Sequence, residues 1–464
     1  MSEELKERLF DKKENGWLSV NEEEKQNIFN FSKGYMDFLN QAKTEREFIK
    51  MARKLADQNG YKDIMEFNTL KPGDKVYFVN RNKSMYLAVI GTESIEQGLR
   101  IIGSHVDSPR LDLKPNPLYE DTEMAYFNTH YYGGIKKYQW TTIPLSIHGT
   151  IVKADGETID ICIGEDENDP IFTITDLLIH LAQDQMEKKL KNGIDGEDLN
   201  LLVGSIPYGE KGKDQVKLNI LNILNQKYGI TEADLKSSEI ELVPAFKARS
   251  LGFDESMVAA YGQDDKVCAY TSLAAMMKIE NVKNTAICIL SDKEEIGSVG
   301  NTSMKSHMFD FFISEILNKL GVNRPNLLDK VYCFSKMLSS DVDAGFDPIY
   351  ASVSDTTNAG FLGKGISLNK YTGARGKSGA SDANAEYVAW IRNVLEKNDI
   401  QYQIAELGKV DIGGGGTIAY IFANKGADVI DCGVPVLSMH APYEVTSKYD
   451  VYSAYKTYKA FWNA

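Results

Sequence analysis

Apolar residues recur at helical spacing through the first sixty residues of the chain and then change to the spacing of strands. Ile28, Phe31 and Tyr35 fall on one side of a predicted helix, and the segment TEREFIKMARKLADQNG opens with a capping-box pattern, Thr44 to Glu47. From about residue 75 the runs KVYFVNRN, SMYLAVIG and LRIIGSHV predict strands. The chain therefore begins with packing helices that lead into a sheet.

Beyond Pro244 the predicted helices and strands alternate. DDKVCAYTSLAAMMKI and MFDFFISEILNKL have the helical pattern, whereas TAICILSD, KVYCFSKML and GVPVLSMH have the pattern of strands. Several of these strands are near-continuous apolar runs, which are typical of a sheet buried on both faces. We predict an α/β fold with a central mixed sheet covered by helices on both faces.

The stretch of about 135 residues after Pro109 carries its own strands, its own turns and one amphipathic helix around Ile179 to Leu190. It separates the first strands from the alternating region and has the size of a domain. We predict two domains: residues 1–115 and 249–464 form the first, and residues 116–248 form an inserted, mainly β second domain.

Composition excludes several classes of protein. The 464 residues include 52 Lys and Arg against 66 Asp and Glu, a net charge of −14 that repels phosphate backbones, so we expect no nucleic-acid partner. No run approaches the ~20 apolar residues of a membrane span, and the start lacks the apolar core of a secretory signal. We expect no membrane partner and a cytoplasmic location. Five scattered cysteines without CxxC spacing argue against a disulfide framework.

Acidic and histidine residues recur where the predicted strands end. Because ligands of open α/β sheets bind beyond the carboxyl ends of the strands, we expect these side chains to meet in one crevice. Histidine and carboxylate ligands without a thiolate suit a pair of divalent cations, zinc, manganese or cobalt, and exclude a zinc finger. The residues are His105 and Asp107, Glu294 and Glu295, Asp341, His440, and Asp264 at the start of a helix.

The motifs GSHVDSP, GQDD, SDKEEIGS, SSDVD and VLSMH occur in this order, with a domain-sized gap between the first two. In this the chain resembles the aspartyl aminopeptidase family of dinuclear zinc metallopeptidases, in particular its bacterial aminopeptidase 1 branch. The resemblance implies a zinc-exopeptidase-like catalytic domain in which Asp264 bridges two metal ions, Glu294 is the general base and Asp107 orients His105. It also implies the metal ligands His105, Asp264, Glu295, Asp341 and His440.

The resemblance further places Lys377 and Gly415 among the residues that face substrate. Lys377 belongs to GARGKS, which is not a phosphate loop because only two residues separate Gly373 from Gly376. Gly415 belongs to IGGGG, where glycine lets a backbone approach a neighbour closely.

Two departures from the eukaryotic aspartyl enzymes concern substrate choice. SSDVDAGFDP has Ala344 and Asp347 where those enzymes carry histidines, and ITDLLIHL has Asp176 in place of a histidine while it retains His180. Fewer cations and more carboxylates weaken the attraction for an acidic side chain. We therefore do not expect the acidic specificity to transfer.

We expect a metal-dependent aminopeptidase that removes N-terminal residues from peptides, through attack of a metal-bridging water with Glu294 as base. The two divalent ions are expected to be zinc, with cobalt or manganese as alternatives. Relatives of this kind assemble into hollow shells, so we expect a homo-oligomer, with a dodecameric shell as one form. We expect the inserted domain, residues 116–248, to be the oligomerisation and substrate-access domain. Two alternatives stay open: a deacylase or other dinuclear exopeptidase with the same ligands, and a non-catalytic assembly module.

Overall fold

A computed structural model of the protein describes residues 2–10, 14–209, 211–322, 324–373 and 375–464. No helix within these ranges has the length and apolar character that crossing a bilayer requires. The helices are α1 (Ser2–Leu9), α2 (Glu22–Leu39), α3 (Glu45–Gln58), α4 (Gln183–Met186), α5 (Leu190–Gly193), α6 (Gln215–Tyr228), α7 (Gln263–Met276), α8 (Met308–Lys319), α9 (Leu327–Cys333), α10 (Ala385–Lys397), α11 (Ala419–Ala423) and α12 (Lys448–Trp462).

The strands form three sheets of nine, six and five strands. They are β1 (Lys62–Asp63), β2 (Lys75–Asn80), β3 (Ser84–Val89), β4 (Arg100–His105), β5 (Arg110–Asp121), β6 (Met124–Tyr132), β7 (Leu145–Val152), β8 (Thr158–Ile163), β9 (Leu201–Gly204), β10 (Ser238–Pro244), β11 (Arg249–Leu251), β12 (Met257–Ala260), β13 (Ala286–Ser291), β14 (Lys336–Ser339), β15 (Asp343–Ala344), β16 (Ile366–Asn369), β17 (Tyr402–Ala405), β18 (Asp428–Gly433), β19 (Pro435–Leu437) and β20 (Glu444–Ser447).

The nine-stranded sheet has the order β1-β2-β3-β13-β4-β14-β18-β16-β17. Its four central strands, β13, β4, β14 and β18, run parallel, whereas β3 runs antiparallel to β13 and β16 runs antiparallel to β18. The predicted mixed sheet is therefore confirmed. Parallel central strands matter for function because all four end at the same edge of the sheet.

Helices cover both faces of this sheet, as predicted. Successive residues of a strand point to opposite faces, and in β13 Cys288 packs in one core cluster while Ile287 and Ile289 pack in the other. The first cluster contains side chains of α2, α3, α7, α10 and α12, and the second contains side chains of α8, α9 and α11. Burial on both faces explains why these strands are apolar throughout.

The six-stranded sheet, with the order β8-β7-β10-β5-β6-β9, is antiparallel and lies between Arg110 and Pro244 in the sequence. It has a separate core, drawn from residues between Leu111 and Tyr261. We call this unit the insert. The five-stranded sheet, β11-β12-β20-β19-β15, joins segments that flank the insert to segments near the C-terminus.

Two predicted elements are wrong. The helix expected around Ile179 to Leu190 is replaced by a 3₁₀ turn and the short helices α4 and α5. Most of its apolar residues are exposed rather than packed against the described part of the chain, and a helix without such packing is unstable. The strand expected at KVYCFSKML begins as helix α9, since Leu327 and Val331 are both buried at helical spacing, and becomes β14 only from Lys336.

Candidate metal centre

Four of the candidate side chains lie at or just after the ends of three strands of the nine-stranded sheet. His105 is the last residue of β4, and Asp341 follows the end of β14 by two residues. Glu294 and Glu295 lie in a 3₁₀ turn, Glu294–Ile296, just after β13. Since these strands are parallel neighbours in the order β13-β4-β14, their ends bring the four side chains to one edge of the sheet.

The five-stranded sheet supplies the other two candidate ligands. Asp264 follows β12 at the start of α7, and His440 lies in the turn between β19 and β20. His440 has a φ of 66°, a left-handed conformation that is strained for histidine and persists only where the surroundings hold it. Both side chains line a cavity of about 450 Å³ together with His105, Glu294, Glu295 and Asp341.

Asp264 stands between the two histidines. Its Oδ1 lies 3.3 Å from His105 Nε2, and its Oδ2 lies 3.1 Å from His440 Nε2. His105 Nε2 is also 3.6 Å from Asp341 Oδ1, and His440 Nε2 is 3.6 Å from Glu295 Oε2. The five side chains thus form two groups of three that share Asp264.

Each histidine is oriented by a backbone carbonyl at its other nitrogen. His105 Nδ1 lies 3.0 Å from the carbonyl oxygen of Asp107, and His440 Nδ1 lies 2.7 Å from that of Gly134. When Nδ1 donates to these oxygens, each ring is oriented with Nε2 towards Asp264, where Nε2 could bind a metal ion in place of its proton. Gly134 follows β6, so the insert positions one of the candidate ligands.

Asp107 contacts His105 less closely through its carboxylate than through its carbonyl. The carboxylate oxygen Oδ1 lies 3.4 Å from His105 Nδ1. The same carboxylate accepts hydrogen bonds from the backbone N–H groups of Glu294 and Glu295, each at 3.2 Å, and from the hydroxyl of Tyr132 at 2.8 Å. Asp107 therefore fixes the turn that carries the two glutamates, in addition to its place beside His105.

The site has an excess of negative charge. Burial and the charge of Asp341 raise the pKa of Glu294 to about 8, and burial followed by Asp264 raises the pKa of Glu295 well above its usual value. Although burial opposes a charged imidazole, the hydrogen bond to Asp264 raises the pKa of His440 to about 10. Beside burial, the clustered carboxylates act in the same direction on the glutamates and on His440, because they favour any added positive charge.

The donor set fits divalent cations. Glu295 Oε1 is buried, and no hydrogen-bond donor in the described part of the chain reaches it. Leaving a buried carboxylate oxygen without a partner is costly, and a cation would satisfy it. Imidazole nitrogens and carboxylate oxygens are the ligands that zinc, cobalt and manganese accept.

Comparison with known proteins agrees with this chemistry. A family model described as "Aminopeptidase I zinc metalloprotease (M18)" matches residues 38–462. The chain belongs to the M18 aminopeptidase family. This membership confirms the predicted family, the zinc metalloaminopeptidase class and the fold.

The relatives of this M18 protein are similar along their whole length. A "Probable M18 family aminopeptidase 1" of Clostridium acetobutylicum is 52% identical over 461 residues, covering 98% of this chain and 99% of that protein. The crystal structure of an M18 aminopeptidase from Thermotoga maritima matches with a TM-score of 0.95 at 45% identity, covering 98% of this chain and 100% of the other. The structure of the S. cerevisiae mApe1 dodecamer matches with a TM-score of 0.76 at 20% identity, covering 94% and 97%, and shows the fold alone.

The two predicted substrate residues of the M18 protein lie in different places. Gly415 lines the cavity that holds the candidate ligands. Lys377 lines a neighbouring cavity of about 110 Å³, where its Nζ lies 3.0 Å from Asp382 Oδ2. Of the GARGKS motif, Ala374 falls outside the described residues. The structure therefore brings Gly415, but not Lys377, into the cavity of the metal centre.

Glu444 is a buried residue of the centre that the sequence reasoning missed. Its Oε1 accepts a hydrogen bond from the backbone N–H of His440 at 2.7 Å, and its Oε2 accepts one from that of Asp264 at 3.0 Å. One carboxylate thus ties together the two candidate ligands of the five-stranded sheet. Its position four residues after His440, among apolar neighbours in APYEVTS, is the signal that would have pointed to it.

Replacing Glu444 with glutamine should weaken zinc binding roughly 10–100-fold while the fold is retained, because the amide offers one acceptor oxygen to two N–H donors. Calorimetric titration of zinc into the metal-free protein measures the effect. The exposed Glu386→Gln change on α10 is the matched control and should bind zinc as the wild type does. Unchanged zinc affinity in Glu444→Gln would contradict a positioning role for Glu444.

Proposed function

We propose that this M18 protein is an aminopeptidase that uses two divalent metal ions, zinc in the first instance and cobalt or manganese as alternatives. The single observation that carries the proposal is the placement of Asp264, whose two carboxylate oxygens face different histidines. A bridging carboxylate of this kind is the usual link between two ions. We assign one ion to His105, Asp264 and Asp341, and the other to His440, Asp264 and Glu295.

The ions, when bound, would polarise the scissile carbonyl and lower the pKa of the attacking water from 15.7 to about 7. Side chains of the protein position the ligands and move the proton. Asp264 belongs to both ligand groups and so sets the distance between them. Glu444 accepts hydrogen bonds from the backbone N–H groups of Asp264 and His440 and so holds both residues in place. Asp107 holds the turn of the two glutamates, so their carboxylates keep fixed positions in the cavity.

Glu294 is the proposed general base. Both glutamates line the cavity, and Glu295 lies 3.6 Å from His440 Nε2, whereas Glu294 belongs to neither ligand group. Glu294 is therefore free to take a proton from the attacking water onto a carboxylate oxygen and to return it to the nitrogen of the leaving amine.

We propose a peptide with a free N-terminus as the substrate. The carboxylates of the cavity would attract its ammonium group. A Cβ atom built on Gly415 or Gly416 would meet open space, so these glycines leave room for a substrate backbone along one wall. Lys377, beside the neighbouring cavity, is proposed to contact more distant parts of the substrate. This arrangement favours an aminopeptidase over a deacylase, whose substrate carries no charged amine.

Glu294→Gln should reduce the release of leucine from leucine amide by ~10²–10⁴-fold, because the amide cannot accept the proton. Zinc content should stay at the wild-type value, since Glu294 belongs to neither ligand group. Turnover by the zinc-loaded protein and metal analysis of the same samples measure both quantities.

The matched control is Glu386→Gln, which should keep wild-type turnover. Normal turnover in Glu294→Gln would remove Glu294 from the role of base. A wild-type protein that hydrolyses N-acetyl-leucine and leaves leucine amide intact would favour the deacylase, and one that hydrolyses neither would favour the assembly module.

We also propose that the protein forms a homo-oligomer, a state that the solved mApe1 dodecamer also has, and that it does so through the insert, for which the sequence predicted residues 116–248. The support is a run of exposed apolar side chains around His180, because a single chain rarely leaves such a run in water. Their exposed fractions are Leu177 55%, Leu178 59%, Ile179 62%, Leu181 74%, Met186 68% and Leu190 68%. A shell built in this way would let the insert limit access to the centre.

The double change Leu178→Glu with Leu181→Glu should reduce the mass of the assembly, because carboxylates at a buried interface are costly. Light scattering coupled to size-exclusion chromatography measures the mass. Leu18→Glu, at an apolar residue 80% exposed outside the insert, should leave it unchanged. An unchanged mass in the double variant would place the interface elsewhere.

We propose the cytoplasm as the location of the protein. All five cysteines are free, which suits a reducing compartment. Cell fractionation tests this location.

A further inference from the structure

A second group of ligand-type side chains lies where helix α3 meets the insert. It contains Glu47 of α3, His148 of β7 and Cys162 of β8, and their potential ligand atoms all lie within 4.8 Å of one another. His148 Nδ1 is 2.7 Å from Glu47 Oε1. We call these three residues the junction triad. None of them belongs to the metal centre described above.

The fold fixes each member of the junction triad. His148 and Cys162 are directly opposed partners in the antiparallel pair β7 and β8, so their side chains leave the same face of the sheet side by side. Glu47 is the third residue of α3, and its Oε2 accepts hydrogen bonds from the backbone N–H groups of Lys43 and Thr44 at 3.0 and 3.1 Å. The helix cap therefore holds Oε2 and leaves Oε1 directed to His148.

A carboxylate on the far side of the ring orients His148. Its Nε2 lies 3.2 Å from Glu165 Oε1, and Glu165 is paired with Lys43 at 2.6 Å and with Lys247 at 2.8 Å. In the structure Nδ1 donates to Glu47 Oε1. The anionic partner keeps the proton on Nε2 when Nδ1 gives up its own proton, so Nδ1 can then offer an electron pair to a cation. A histidine that ligates a metal commonly has this support from a carboxylate on its second nitrogen.

The junction triad is open to solvent on one side. Glu47 and Cys162 line a cavity of about 650 Å³ between α3 and the strands β7 and β8, and Cys162 is exposed whereas His148 is buried. Four cationic side chains also line this cavity: Lys50 is paired with Asp160 at 3.0 Å, Arg46 is paired with Glu239 at 2.7 Å, Arg53 lies 4.0 Å from Asp57, and Lys54 is the fourth. The cavity gives a cation a route in and leaves space for a water molecule as fourth ligand.

We propose that the junction triad is a separate binding site for a thiophilic divalent ion such as zinc. Zinc binds imidazole nitrogen, thiolate sulfur and carboxylate oxygen, and three protein ligands with an open fourth position are common among zinc sites. On binding, the thiol of Cys162 and Nδ1 of His148 each give a proton to water, and the sulfur and the nitrogen then bind the ion. Because the ligands come from α3 on one side and from β7 and β8 on the other, the ion ties the insert to the first domain.

Cobalt(II) tests the junction triad separately from the metal centre. A thiolate bound to cobalt gives a charge-transfer absorption band in the near ultraviolet, and the metal centre contains no thiolate. Titration of the metal-free protein with cobalt should produce this band. Cys162→Ser should abolish it and lower the cobalt bound by one ion per chain, while the hydrolysis of leucine amide persists.

The matched control is Cys333→Ser, which alters the other exposed cysteine and should keep both the band and the cobalt content. A wild-type protein without the band, or a band that survives in Cys162→Ser, would overturn the proposal. Both results are independent of the aminopeptidase assay, so failure here leaves the proposed function standing.

Discussion

The structure depends on one carboxylate that lies between two imidazoles. Asp264 faces His105, which the nine-stranded sheet supplies, and His440, which the five-stranded sheet supplies. Neither sheet alone carries both histidines, so the centre exists only while the two sheets keep their relative position. The buried hydrogen bond from the backbone N–H of His105 to Asp265 links the two sheets, and those from Asp264 and His440 to Glu444 hold the five-stranded side together. The carboxylates of the centre leave an excess of negative charge, which a pair of cations would balance.

The insert contributes hydrogen bonds to residues of the metal centre. The carbonyl of Gly134 orients His440, and the hydroxyl of Tyr132 donates to Asp107. Both residues lie at the end of β6, so a movement of the insert would shift one candidate ligand and the turn of the two glutamates together. Contacts that fix the insert, such as those of the junction triad and of any neighbouring subunit, therefore also affect the positions of the side chains in the distant metal centre.

Much of the site could be predicted from the sequence because parallel strands end at a common edge. His105, Asp341 and the two glutamates follow apolar runs, and that pattern alone placed them together. Glu444 and Gly134 were not predicted because their roles rest on contacts with backbone groups distant in the sequence or in another element, which local pattern does not encode. The helix expected around Ile179 was wrong for a related reason: its apolar residues are exposed in the described part of the chain, so periodicity alone does not form the helix.

Anomalous diffraction from crystals of the zinc-loaded protein is the most direct test of the central claim. The account predicts two zinc peaks, roughly 3.5–4 Å apart, on either side of the Asp264 carboxylate, one beside His105 and Asp341 and the other beside His440 and Glu295. A single peak, or zinc bound away from Asp264, would contradict it.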